Sequence, residues 1–492
     1  MVQQQGFCYS PVTMSSNTLY WHDYETFGAD TRSDRPVQFA GIRTDLDLNP
    51  IGDPLMVYCR PSGDFLPQPE ACMVTGITPQ EALEKGVPEV EFIQQIRDEL
   101  LQPKTCGVGY NTLRFDDEIT RNTLYRNLYD PYEREYKNEN SRWDIIDLVR
   151  LTRALRPEGI EWPHYEDGRP SMRLEHLTAA NNISHGTAAH DALADVHATI
   201  AMARLVRKRQ PRLYDFVFSH RDKGSAGRLL NLKQATPTIH ISSMFHSERG
   251  NLALVLPLVR HPTNSNGVIV YDLREDPAPL LTLSVEEIHQ RLFTRSADLP
   301  EGVNRVALKT VHLNKCPVLA PLNTLNEEAA ERLGINLQQQ LEHAAILQQE
   351  PLLAEKVSRV HQLQSFPEEQ DPDRMIYSGF FGNIDRQLMQ KVHSLSPQEL
   401  ATEEILFQDP RLAEMLFRYR ARNWPESLSE NEQQRWGRFC QHRIMDADGG
   451  GTIHYNEYTR MLATLAEGHA NNPEKLKVLQ QLEIYGQMLI SQ

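Results

Sequence analysis

The sequence predicts an α/β domain in its first part, then a small β-rich domain and a helical domain. Three observations predict this. The first 200 residues mix strand-like and helix-like patterns, residues 211–360 hold short strand-like runs separated by prolines, and beyond residue 325 the chain turns helical and acidic. A length of 492 residues suits about three domains at roughly 150 residues each.

Each element has a local reason. Residues 19–26, 37–44 and 54–59 are rich in β-branched or aromatic side chains and bounded by turn formers, which predicts three strands. Residues 92–101 read as a helix, 105–110 as a strand and 115–128 as a helix. Further helices are predicted at 144–155, 174–181 and 191–208. In the last of these, Leu193, Val196, Ile200 and Ala203 fall at helical spacing. In the second part the strands are 237–241, 252–259, 268–273 and 303–311. Residues 326–364 read as paired helices, and the loop FPEEQDPD marks a boundary after them.

Composition narrows the class. With 40% hydrophobic and 24% charged residues the chain is globular, neither disordered nor fibrous. Its six cysteines form no CxxC pair and no zinc or disulfide spacing, which suits a reducing cytoplasm. The first residues, MVQQQGFCYSPVTM, lack the pattern of a signal peptide, and the longest apolar run, 252–259, is too short to span a membrane. A soluble, cytoplasmic protein is expected. The net charge of -15 opposes nucleic-acid binding, but between Arg204 and Lys233 nine basic residues face only Asp215 and Asp222. An acidic whole can carry a basic track.

Chemistry concentrates at three places. Asp23 and Glu25 stand two apart in the predicted strand, so both lie on one face about 6 to 7 Å apart, continuing the apolar face of Leu19 and Trp21. Carboxylates at the end of a buried face need compensation, and divalent cations commonly give it. Taken alone, such a pair reads more simply as an exposed strand end. Asp116 follows the strand ending near Tyr110 and falls in a helix's first turn, where it can point back toward the strand ends. Helix-start stabilisation is the simpler reading for Asp116 alone and is sufficient for Asp117 and Glu118. Finally, HDALAD sets His190 five residues before Asp195, so His190 lies at a helix entrance while Asp195 faces the sheet. Taken singly, His190 reads as a surface histidine, like His185 and His197 nearby.

In order, Asp23-Tyr24-Glu25, Asn111 through Phe115-Asp116, and His190 through Asp195 resemble the three motifs of the DEDDh exonucleases. The flanking text is similar to the bacterial exonuclease I family: HDYETFG, TGITPQEA, GYNTLRFDDE, NSRWD, LRPEGI and RLEHLTAAN, then HLNKCPVLA, ERLGIN, GFF and FRYRARNWP. The likeness covers nearly the whole chain.

The resemblance implies a ribonuclease-H-like exonuclease core over residues 17–208, a Src-homology-like β-barrel domain with helices over 211–360, and a C-terminal α-helical domain over 364–492. It implies 3′-to-5′ degradation of single-stranded DNA to nucleoside 5′-monophosphates, in DNA repair and recombination. The implied cofactor is two Mg2+ ions, with Mn2+ as a substitute, on Asp23, Glu25, Asp116 and Asp195. His190 is the expected general base.

For the strand, Arg121, Tyr132, Tyr136, Arg150, Arg156 and Arg173 supply charge and stacking rings, and Arg173 matches a substrate-contacting arginine of the family. Each of the others reads equally well as a solvated arginine or a core tyrosine. The basic run after Arg204, at the junction of two domains, is expected to help clamp the strand. The implied partner is the acidic C-terminal tail of the single-strand-DNA-binding protein, and a monomer is expected.

DADGGGTIHYNE, from Asp446 to Glu457, matches much of a calcium-loop pattern, but Gly450 stands at a ligand position, so an interhelical turn is expected. Two other functions fit the core. An RNA-trimming or proofreading exonuclease would use the same carboxylates, which do not read the 2′-hydroxyl. A non-catalytic single-strand-binding module would not need all four acids and His190.

Overall fold

The computed structural model describes residues 17–184, 191–365 and 367–491. Its first sheet has five strands: β1 (Thr18–Thr26), β2 (Pro36–Thr44), β3 (Leu55–Tyr58), β4 (Thr105–Gly109) and β5 (Ser141–Asp144). The order is β3-β2-β1-β4-β5. β1 pairs antiparallel with β2 and parallel with β4, and β4 pairs parallel with β5. Around it lie α1 (Glu89–Leu100), α2 (Asp116–Arg126), α3 (Ile146–Leu155), α4 (Leu174–Ala180) and α5 (Ala192–Arg209).

The two-residue period of β1 divides its side chains between two cores. Leu19 and Trp21 join Val108, Leu148 and Val196 on one face. Tyr20 and Tyr24 join Ile93, Tyr125 and, from the C-terminal part, Phe381 and Met415 on the other. Asp23 and Glu25 continue the Leu19 and Trp21 face, as the period predicts. The parallel ladder between β1 and β4 ends at Trp21 and Val108. Both acids therefore stand beyond the carboxyl end of β4, where open α/β sheets form their clefts.

The second sheet is antiparallel in the order β10-β6-β7-β8-β9. Its strands are β6 (Thr238–Ile241), β7 (Leu252–Arg260), β8 (Gly267–Asp272), β9 (Leu308–His312) and β10 (Leu319–Pro321). The strand expected from residue 303 begins only at Leu308, and β10 escapes a period-based reading because it spans three residues and ends in proline on an edge. Ile239, Leu254 and Tyr271 of this sheet share the core of Trp21 and Val196, so the first two domains share one apolar interior.

The last part is helical, with α6 (Pro410–Asn423), α7 (Glu430–Met445), α8 (Tyr455–Gly468) and α9 (Pro473–Ile490) as its longer members. It meets the first domain through a buried ion network in which Asp64 accepts Arg422 at 2.9 Å and Arg35 at 3.3 Å. Among the described residues no helix is long and apolar enough to cross a membrane.

Candidate active site

Three elements carry acids to one place. β1 supplies Asp23 and Glu25. α5 supplies Asp195 from its first turn, and the helix start is tied to the sheet because Ala192 N–H donates to Gln38 Oε1 at 3.2 Å, Gln38 being the β2 partner of Glu25. Ligand oxygens of Asp23, Glu25 and Asp195 lie within 4.8 Å of one another, the one such group of metal-ligating side chains among the described residues. Asp116, the first residue of α2, is buried beside them, and its Oδ1 accepts the N–H of Tyr24 at 3.0 Å. It is not a member of the converged trio.

Burial, then the charges of Asp116, Glu25 and Asp195, raise the Asp23 carboxyl well above the usual range. Burial and the charges of Asp195 and Asp116 push Glu25 up to about 8. Burial likewise raises Asp116. Asp117, next in sequence, is the opposite case. Burial works against its ionisation, but Arg134 at 2.5 Å and Arg142 at 2.7 Å overcome this and hold it far below the carboxylate range. The first set is raised by burial and mutual repulsion, whereas Asp117 is held down by two arginines.

Two of the acids, Asp23 and Asp195, line a cavity of about 420 Å³ together with Tyr110, Asn111, Arg150, Tyr165, Met172, Arg173 and Glu175. Arg173 stands at the N-terminal cap of α4, 56% exposed and 2.9 Å from Glu175. Arg150 pairs with Asp147 at 2.6 Å. A larger cavity of about 530 Å³, lined by Tyr129, His393 and Trp424, contains none of the four acids.

Other expected contacts lie elsewhere. Arg121 is buried, gripped by Glu135 at 2.7 Å and Glu118 at 2.6 Å, and does not line the acid cavity. Arg156 donates to the carbonyls of Leu155 and Thr324 and joins the first domain to the second. Tyr132 lies under Arg121 and Tyr136 is 66% exposed, both outside the acid cavity. Within the basic run, Arg204 donates to Leu48 O, Arg207 pairs with Asp47, and Arg221 lies over Phe218. His190 and His185 lie outside the described residues.

Sequence reasoning missed Asp144. At the end of β5 it accepts the N–H groups of Asn111 at 2.8 Å, Leu113 at 3.2 Å and Ile146 at 3.0 Å, shaping the loop that leads to Asp116. An acid at a strand end just before a helix was the available signal. The calcium-like segment joins α7 to α8, and Asp446 is bonded to His442 at 2.7 Å. Its acids form no converged group among the described residues.

Comparison with known proteins follows the same division. Residues 20–203 match a family model described as exonuclease, 221–363 the exonuclease I SH3-like domain, and 370–489 the exonuclease I C-terminal domain. Exodeoxyribonuclease I of Escherichia coli is 47% identical over 96% of this chain and 98% of its own. The structure of exonuclease I from Methylocaldum szegediense superposes with TM-score 0.93 at 52% identity, covering 96% of this chain and all of that one. E. coli exonuclease I in complex with a dA16 oligonucleotide gives TM-score 0.93 at 46% identity, over 96% and 100% of the two chains. A structure of SSB/exonuclease I with an inhibitor gives 0.89 at 45%, again over 96% and 100%.

Proposed function

The chain belongs to the exonuclease I family, and on that premise we propose that it removes nucleoside 5′-monophosphates from the 3′ end of single-stranded DNA at the Asp23, Glu25 and Asp195 cavity. The observation that carries this reading is the convergence of three carboxylates within 4.8 Å beside a cavity that Arg150 and Arg173 also line.

The donor set suits a hard divalent cation, since it offers only carboxylate oxygens and its acids repel one another while half-buried. Asp23, Glu25 and Asp195, with Asp116 beside them, would hold two magnesium ions, for which manganese can substitute. When bound, the ions neutralise the phosphate, acidify the attacking water and stabilise the leaving oxygen.

The side chains do the rest. His190 takes the proton of the attacking water and returns it to solvent, the role of a general base. Arg150 and Arg173 bind phosphates of the terminal nucleotides. Tyr165 offers a ring for base stacking at the cavity wall, with Tyr132 and Tyr136 as stacking positions outside it.

The reading extends to DNA repair and recombination, where single strands with free 3′ ends are removed. A single chain carries every residue named, which suits a monomer, and the five described cysteines are all free, which suits the cytoplasm. The acidic tail of the single-strand-DNA-binding protein is the proposed partner, in line with the SSB/exonuclease I pairing of the relative.

A 5′-labelled single strand incubated with magnesium tests this. We expect a ladder shortening from the 3′ end, nucleoside 5′-monophosphates as products, and little attack on a matched RNA strand. Release of the 5′ label as the first product, or no dependence on magnesium, would contradict it.

A further inference from the structure

Two parts of the active site come from separate stretches of chain, and one buried side chain fastens them together. Asp116 arrives at the end of the connection that leaves β4, and Arg150, which lines the acid cavity, arrives on α3. Asp144, the last residue of β5, divides its two oxygens among three N–H groups. Oδ1 accepts Asn111 at 2.8 Å and Ile146 at 3.0 Å, and Oδ2 accepts Leu113 at 3.2 Å. One oxygen atom is therefore shared by the loop that leads to Asp116 and by the first residue of the helix that carries Arg150.

The loop depends on such a hold. Asn111 has φ 66°, the left-handed setting, and a single 3-10 turn, Thr112–Arg114, separates it from Phe115 and Asp116. Leu113 is the middle residue of that turn, so the carboxylate holds the loop at its start and again at its centre. Asp116 then meets the N–H of Tyr24, which stands between Asp23 and Glu25. Asp144 is 6% exposed, and among the described residues no cation pairs with it, whereas buried Asp117 has Arg134 and Arg142. Burial pushes its carboxyl up to about 7 against the pull of the three N–H groups. A buried acid without a cation disfavours the folded state. Asparagine would remove that cost, but it offers one acceptor oxygen instead of two and cannot hold all three N–H groups.

We infer that Asp144 is a positioning residue of the reaction. Through Asn111 and Leu113 it fixes Asp116 against Asp23, Glu25 and Asp195, and through Ile146 it fixes where Arg150 stands relative to those acids. The inference rests on the function proposed above. Asp144 does not line the acid cavity and acts through these neighbours rather than on the reacting atoms.

Asp144→Asn and Asp144→Ala test this, with Val270→Ala, in the interior of the second sheet, as a control for lost stability alone. Two quantities are read: the rise in Tm when magnesium is added to the metal-free protein, and nucleotide release at saturating strand over a range of magnesium concentrations. Asp144→Asn should need about 10-fold more magnesium for the same rise and should release nucleotides about 10- to 100-fold more slowly, the usual size for a residue that orients metal ligands. Asp144→Ala, with no acceptor left, should lose more on both. Val270→Ala should melt lower and keep the wild-type magnesium dependence. Asp144 variants with wild-type magnesium dependence and turnover, or with losses no larger than those of Val270→Ala at matched Tm, overturn the inference. Failure of Asp144→Asn to fold also overturns it, since Asp144 would then be a residue of folding alone. A wild type that binds magnesium and releases no nucleotide defeats the function proposed above instead, and the Tm readout still decides on Asp144.

Discussion

The N–H of Tyr24 donates to Asp116 Oδ1 at 3.0 Å, so the residue between the first two acids is fastened to the third. Beyond the last pairing of β1 with β4, the carboxylate takes the place of a strand partner. This contact joins stretches of chain 92 residues apart, and it makes Asp116 a support of the site's geometry as well as a source of charge.

Asp116→Asn keeps an oxygen for Tyr24 and removes one of the mutually repelling charges. It should fold with a metal-free Tm at or above wild type, while nucleotide release falls about 10- to 100-fold or more. Asp116→Ala leaves the Tyr24 N–H without its partner and should cost about 1–3 kcal/mol, read by urea denaturation. Asp117→Asn provides the contrast, because it leaves buried Arg134 without its carboxylate, while Arg142 keeps Glu135 at 3.0 Å, and should cost about 3–5 kcal/mol.

The raised acids set a direction for pH. Glu25 stands near 8 in the fold against an ordinary value of 4.5, so between those values the folded chain holds a proton that the unfolded chain has lost. Stability of the metal-free protein therefore falls as pH rises through that window. Magnesium replaces the protons, so its stabilisation should grow over the same window. Melting curves from pH 5 to 8 with and without magnesium measure both, and Glu25→Gln should flatten the metal-free slope.

His190→Ala should keep its affinity for single strands and lose about 10²- to 10⁴-fold in turnover, the usual size of a general-base contribution. Anisotropy and release assays on the same preparation separate the two. Near-normal turnover would remove His190 from the mechanism.

Arg173 and Arg121 should behave differently with salt. Arg173→Ala should weaken binding and reduce the slope of log affinity against log salt by about 0.7, the value for one phosphate contact on a single strand. Arg121→Ala should leave that slope unchanged and lower Tm, since Arg121 is held between Glu118 and Glu135.

Much of the site was legible because β1 alternates cleanly. Leu19 and Trp21 mark one face, Tyr20 and Tyr24 the other, and Asp23 and Glu25 follow from the period. Partners from distant chain were not legible. Nothing near Arg121 in sequence tells that Glu135 will enclose it, nor that Arg156 will find the carbonyl of Thr324. The two short helices Pro69–Thr75 and Pro79–Lys85 went unread although the second carries its own signal: Thr78 caps Glu81 N–H and proline opens the helix.

If Asp23, Glu25 and Asp195, with Asp116 at their side, hold divalent cations, crystals soaked in manganese should give anomalous peaks within ordinary coordination distance of those carboxylates, absent in Asp195→Asn crystals. A cavity without anomalous signal, or manganese bound instead at Asp446 to Glu457, would contradict it.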